Sequence, residues 1–161
     1  MLKATEFSVY YNPGLMFIEQ ITKEMSDPEN VKYYAFFLLE FSNYESDWIN
    51  ARSPIYQGAA CYSLSKYSLR EGISPWPKKL SEIFDIQVSD FLEELCWVFQ
   101  EYASYKLNKE NVIYQRYSQS EFQNVSDIPS KSTLNYCYKT KELYFDDDIR
   151  HVAPCQCQLP I

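Results

Sequence analysis

The segment IYQGAACYSLSKYSL, residues 55–69, constrains the fold more than any other part of the chain. It follows Ser53-Pro54, where the serine can cap a helix and the proline fits the first helical position. Apolar or small residues occupy nearly every side of the predicted helix, and such a helix is buried all round. Gly58 costs about 1 kcal/mol relative to alanine inside a helix, so we expect a neighbouring helix to approach closely there. The segment therefore predicts a central helix with other helices packed around it.

The same pattern, a polar residue followed by proline, predicts two earlier helix starts, at Asn12-Pro13 and Asp27-Pro28. Apolar residues follow each of them at helical spacing. Ser89 can cap a fourth helix, with Asp90 favourable near the positive end of its dipole. The expected architecture is all-α: a single bundle of five helices, with an irregular C-terminal tail from about residue 130.

A fifth helix is expected after Asn108, which can serve as its cap. Leu107 and Val112 stand at the positions of a hydrophobic staple around that cap. Earlier in the chain, Trp76 lies between two prolines and is followed by Leu80 and Phe84. This spacing predicts that Trp76 fills a gap between helices. The alternative is an exposed tryptophan that binds an aromatic groove of a partner, and the spacing disfavours it.

No catalytic or cofactor-binding residues are predicted. His151 is the chain's single histidine, so a nucleophilic pair would depend on a segment with no periodicity. The residues Cys137, His151, Cys155 and Cys157 are a chemically sound zinc set, but their spacing is unusual and the C-x-C pair crowds two ligands. We therefore predict no metal site, no cofactor and no enzymatic activity.

Net charge, hydropathy and cysteine content limit the classes of partner and the compartment that we expect for this chain. The formal net charge is −7, which repels phosphate backbones and disfavours a nucleic-acid partner. No run approaches the roughly 18 apolar residues that span a bilayer, so no membrane partner is expected. Five cysteines without regular spacing favour a reduced, intracellular and soluble protein. No small-molecule substrate is expected either.

The ordered elements together resemble a known family. The residues that carry the likeness are Gly58-Ala59-Ala60 with Tyr62, Trp76-Pro77 with Leu80, Val88-Ser89, Tyr117-Ser118, Ser120, Phe122 and Val125. In this order and spacing they resemble the C-terminal cyclin box of the mitotic A- and B-type cyclins. The resemblance implies that Tyr117, Phe122 and Val125 anchor the end of the box on the bundle, with serines forming local hydrogen bonds.

The resemblance also implies a division of the chain. Residues 1–11 would be a remnant of the last helix of a first box and a linker, residues 12–129 the C-terminal box, and residues 130–161 an irregular or disordered tail. Most of a first box has no counterpart in this sequence. The chain is then either a fragment of a longer gene product or a natural protein with a second box only.

The function implied by the resemblance is that of a regulatory subunit. It would control a cyclin-dependent protein kinase in the cell cycle by protein–protein interaction, in the nucleus and cytoplasm. The alternative is a stand-alone helical interaction module that does not activate a kinase. A nucleic-acid-binding cyclin-fold protein is a third possibility, and the net charge of −7 argues against it.

Overall fold

The computed structural model describes residues 12–45, 52–105, 109–129, 134–137 and 139–145. In these ranges the α-helices are α1 (Pro13–Met25), α2 (Glu29–Glu45), α3 (Pro54–Leu69), α4 (Lys78–Phe84), α5 (Leu92–Tyr105) and α6 (Val112–Tyr117). The five predicted helices are all present, and the short helix α4 was not predicted. The all-α prediction is confirmed.

Helix α3 is the centre of the bundle, as its sequence predicts. Its residues from Gln57 to Ser68 are all buried, and α1, α2 and α5 pack around it. Gly58 faces α1, where an added Cβ would lie 3.0 Å from the carbonyl oxygen of Gly14 and 3.2 Å from the ring of Phe17. Because a backbone oxygen moves only with its helix, any side chain at Gly58 would push α1 away from α3. The predicted close approach is confirmed.

The helix starts agree with the sequence in part. Asn12 caps α1 as predicted, since its side-chain oxygen accepts from the amide of Gly14 at 2.9 Å. Ser89 does not cap α5: it lies in a 3-10 turn, Val88–Asp90, in which the amide of Gln87 donates to the Asp90 carboxylate. This turn places the start of α5 later than predicted.

The predicted start of the last helix also needs correction. Asn111, and not Asn108, caps α6, with its side-chain oxygen accepting from the amide of Ile113 at 2.8 Å. Val112 is 66% exposed, so it makes no hydrophobic staple. Leu107 and Asn108 lie outside the described residues.

Trp76 fills a gap between helices, which confirms its predicted role. It is buried, and its ring meets that of Phe91 edge to face with 4.9 Å between centroids. Its indole N–H donates to the carbonyl of Ile86 at 3.1 Å and to the hydroxyl of Ser81 at 3.0 Å. Two partners for the one polar atom make burial of this side chain favourable.

The segment after α6 is anchored by the three apolar residues that the sequence singled out. Tyr117 and Val125 are buried, and the half-buried ring of Phe122 contacts the rings of Tyr33 and Tyr117. Tyr117 also donates its phenol to Glu40 on α2 at 2.8 Å. These contacts hold the end of the helical chain against α2.

Part of the C-terminal segment differs from the predicted irregular tail. Strands β1 (Asn135–Cys137) and β2 (Glu142–Tyr144) form an antiparallel hairpin with Tyr136 opposite Leu143. Apolar residues alternate on both sides of the turn, which is the period of a strand with one buried face. The buried residues are Leu134, Tyr136, Leu143 and Phe145.

Replacing Phe122 with alanine tests the anchoring of the last segment. A fully buried phenylalanine contributes about 1.5–3 kcal/mol, so this half-buried ring should contribute about 1–2 kcal/mol to the free energy of unfolding. We expect a melting temperature lower by several degrees in differential scanning calorimetry. Glu121→Ala, in the same turn but exposed, is the matched control. An unchanged melting temperature for Phe122→Ala would show that the ring is not packed.

Candidate interaction surface

Potential metal ligands are not clustered in the part of the chain that the structure describes. This part contains no group of three or more potential metal ligands. Of the zinc set weighed from the sequence, Cys137 lies on β1, and His151, Cys155 and Cys157 lie outside the described residues. The absence of a metal site therefore stays a prediction.

Two cysteines elsewhere are unsuited to nucleophilic attack. Burial raises the pKa of the Cys61 thiol far above its usual range. Burial also raises the pKa of Cys96, with a smaller effect from the nearby Glu93 carboxylate. The thiolate is the nucleophilic form, so both residues stay in the unreactive thiol form at neutral pH.

A shallow groove on the outer side of α1 is the candidate interaction surface. Helix α1 turns Phe17, Ile18 and Ile21 toward the bundle, which leaves Met16 on its outer side. Met16 is 53% exposed and Ile55, at the start of α3, is 42% exposed. The groove encloses about 500 Å³ and is lined by Pro13, Met16, Phe17, Glu19, Gln20, Lys23 and Ile55.

The close packing of two glycines places the parts of this groove together. Because Gly14 contacts Gly58, the first turns of α1 and α3 lie side by side. Met16 and Ile55, two residues after Gly14 and three before Gly58, are thereby brought to one surface. The groove offers apolar contact with one carboxylate and one ammonium group at its rim, Glu19 and Lys23. Apolar surface with a few charged groups of this kind is suited to contact with a protein partner.

A second, polar cavity of about 450 Å³ lies at the corner between α1 and α2. Its lining residues are Glu19, Thr22, Lys23, Ser26, Asp27, Glu29 and Lys32. The rim is internally paired: Lys32 contacts the Glu29 carboxylate at 3.1 Å, and this hydrogen bond lowers the pKa of Glu29. The charges of this rim are therefore partly neutralised within the chain.

A buried ion pair joins this corner to the central helix. The Asp27 carboxylate accepts from the ammonium group of Lys66 at 2.6 Å and from the phenol of Tyr62 at 2.6 Å. The side chains of Asp27 and Lys66 are only 5% and 3% exposed. Burial and the hydrogen bond to Asp27 raise the pKa of Tyr62, so the phenol remains a donor. These contacts fix the α1–α2 corner on α3.

Sequence reasoning missed this pair, although a signal was present. Lys66 is the one charged residue of α3, a helix that is otherwise apolar or small and buried. A lysine in such surroundings requires a buried partner. Asp27 was considered only as part of a helix start, and 39 residues separate the two positions.

The sequence of the helical bundle is similar to that of a known protein family and of one curated relative. The family described as cyclin, C-terminal domain, matches residues 14–131. The chain is also 26% identical to the G2/mitotic-specific cyclin-A of Patella vulgata over 136 residues, which are 84% of this chain and 32% of that protein. The chain thus spans about a third of the length of this relative. Met16, Ile55, Asp27 and Lys66 all lie inside the family match, whereas the hairpin of β1 and β2 follows it.

Within the described ranges, no helix has the length and apolarity that crossing a bilayer requires.

Replacing Asp27 with asparagine tests the buried ion pair. The change leaves the ammonium group of Lys66 buried without a carboxylate, and breaking a buried pair typically costs about 3–5 kcal/mol. We expect a loss of this order in the free energy of unfolding, measured by urea denaturation.

Two further variants control this measurement. In the double variant Asp27→Asn, Lys66→Met no unpaired charge remains, so it should lose less stability than Asp27→Asn alone. Lys32→Met disrupts the exposed pair with Glu29 and should change stability little. If Asp27→Asn proves as mild as Lys32→Met, the buried pair is not a major contributor to stability.

Proposed function

We propose a regulatory role for this chain on the premise that it belongs to the cyclin family, whose C-terminal domain matches residues 14–131. The cyclins are a regulatory, non-catalytic family of the cell cycle. The proposed function is that of a cyclin-type subunit that controls a cyclin-dependent protein kinase by protein–protein contact. The observation that carries this proposal is the family match, which spans the whole helical bundle from α1 to α6.

The proposed subunit has no catalytic role of its own. It would act by binding one conformation of the kinase better than another, since a ligand shifts an equilibrium only by its differential affinity. We also propose that residues 12–129 form the C-terminal box that makes this contact. Nucleus and cytoplasm are the proposed locations, with no nucleic-acid, membrane or small-molecule partner. The net charge of −7 supports the absence of nucleic acid.

The groove on α1 supports a second candidate function, a helical interaction module without kinase activation. The exposed side chains of Met16 and Ile55 provide apolar contact area outside the core. Exposed apolar surface of this kind is typical of protein–protein contact sites. We propose that both candidates bind a kinase through this groove, so they differ in what binding does to the kinase.

Kinase activity separates the two candidates. Moving a kinase from mostly inactive to mostly active takes about 5.5 kcal/mol of differential binding. The cyclin resemblance implies that most of the surface that contacts the kinase belongs to a first box. Most of such a box has no counterpart in these 161 residues. We therefore expect the 161-residue chain to bind a cyclin-dependent kinase without strong activation. A fusion with a complete first box from a mitotic cyclin should activate it.

The assay measures phosphate transfer to a peptide substrate at saturating concentrations of chain and fusion. Activation by the chain alone that equals that of the fusion would contradict the expected dependence on a first box. Failure of the fusion to activate would favour the interaction module over the regulatory subunit.

Substitutions in the groove test its part in binding. Met16→Ser together with Ile55→Ser should weaken binding of the chain to the kinase at least several-fold in surface plasmon resonance. Both side chains are exposed, so the melting temperature should change little. Ile73→Ser is the matched control, because Ile73 is 95% exposed and is not among the groove residues. Equal affinities for the parent chain, the groove variant and the control would exclude the groove as the binding surface.

A further inference from the structure

The hairpin of β1 and β2 covers one end of the central helix. The ring of Phe145 stacks on that of Tyr67, near the end of α3, with 6.2 Å between centroids and 22° between planes. The hydroxyl of Ser74, in the loop after α3, lies 3.2 Å from the carbonyl oxygen of Trp76 and 3.5 Å from that of Leu143, between which its one proton is shared. Tyr67 and Phe145 are both buried. The hairpin begins after the family match ends at residue 131 and packs on the matched domain.

The hairpin has few interactions of its own. Its strands pair at three positions, Asn135 with Tyr144, Tyr136 with Leu143 and Cys137 with Glu142. A two-stranded hairpin is marginal by itself in water. Lys141, in the turn, has a φ of 59°, which is unfavourable for a residue with a side chain. Contacts of the buried face with the bundle and hydrogen bonds on the outer face therefore decide whether the hairpin stays closed.

The outer face carries a hydrogen-bonded cluster around Tyr144. The phenol of Tyr144 donates to the Glu142 carboxylate at 2.7 Å, and 2.8 Å separates the phenol from the hydroxyl of Thr140. Both contacts are exposed to solvent. Tyr144 lies within the sequence ELYFDDD, with one carboxylate two residues before it and three carboxylates starting two residues after it. A kinase with basic groups in its substrate groove would recognise this charge pattern.

We propose that Tyr144 is a phosphorylation site and that its phosphate releases the hairpin from α3. The modifying enzyme would be an ATP-dependent tyrosine kinase that prefers acidic sequences. It would transfer the γ-phosphoryl group of ATP to the phenol oxygen of Tyr144. The phenol proton goes to a base of the kinase, and ADP leaves.

The phosphate acts on the hairpin in two ways. The phosphorylated oxygen has no proton, so the hydrogen bond from Tyr144 to Glu142 is lost. The phosphate also brings a charge of about −1.5 to −2 beside the Glu142 carboxylate, and like charges repel. Lys139 and Lys141 in the turn are the nearby cations along the chain that oppose this effect. Glu142 is in direct contact with the phenol, so the proposed release depends on its repulsion.

Mass spectrometry tests the modification. The full chain is incubated with ATP and a tyrosine kinase of acidic sequence preference, and the phosphorylated residues are mapped. Tyr144 should be modified in preference to Tyr44, a 64% exposed tyrosine on helix α2 that serves as the internal control. Lack of phosphate on Tyr144, or equal labelling of Tyr44, would overturn the assignment of the site.

Hydrogen–deuterium exchange tests the release. Amides of residues 134–145 and of the last turn of α3 should exchange at least tenfold faster after phosphorylation, with α1 and α2 unchanged. In Tyr144→Phe, kinase treatment should have no effect on exchange. In Glu142→Gln the phosphate should accelerate exchange less, because no carboxylate faces it.

Two results would overturn the release mechanism. Unchanged or slower exchange after phosphorylation would show that the phosphate does not release the hairpin. Equal acceleration in Glu142→Gln and in the parent chain would show that repulsion by Glu142 is not the cause.

Discussion

The contact between Gly58 of α3 and Gly14 of α1 is the constraint on which the rest of the structure depends. A Cβ added at Gly58 would lie 3.0 Å from the carbonyl oxygen of Gly14, so a side chain there would require α1 to shift. This contact lets α1 lie directly on the central helix, where Phe17 and Ile21 enter the core. It also brings the first turns of the two helices together, where Met16 and Ile55 line the groove. The contact between Gly14 and Gly58 therefore contributes both to the packing of the core and to the candidate interaction surface.

The pair of Asp27 and Lys66 adds a polar restraint to this packing. Apolar contacts alone would allow the α1–α2 corner to slide along α3, because hydrophobic attraction has no direction. The carboxylate receives two hydrogen bonds at 2.6 Å, from Lys66 and from Tyr62, one helical turn apart on α3. Two donors at fixed positions define both the place and the orientation of the corner. Asp27 also lines the polar cavity at this corner.

The sequence predicted what depends on local periodicity and failed where the structure depends on distant contacts. The central helix and the burial of Trp76 follow from residue types within about ten positions. The observed caps, at Asn111 and in the Gln87–Asp90 turn, differ from the predicted caps Asn108 and Ser89. Several polar residues near the start of each of these helices could act as its cap, and the sequence does not distinguish between them. The hairpin was missed because its strands have three residues each, so the apolar alternation at Leu134, Tyr136, Leu143 and Phe145 is too short to stand out from an irregular segment. The groove could not be predicted, because Met16 and Ile55 meet only through the packing of two glycines.

The proposed function depends most on one contact, the binding of a kinase to the outer face of α1. Hydrogen–deuterium exchange of the chain with and without a cyclin-dependent kinase tests it most directly. We predict slower exchange in residues 13–23 and around Ile55 when the kinase is present, with α5 unaffected. Exchange that is identical with and without the kinase, or protection confined to other helices, would contradict this proposal.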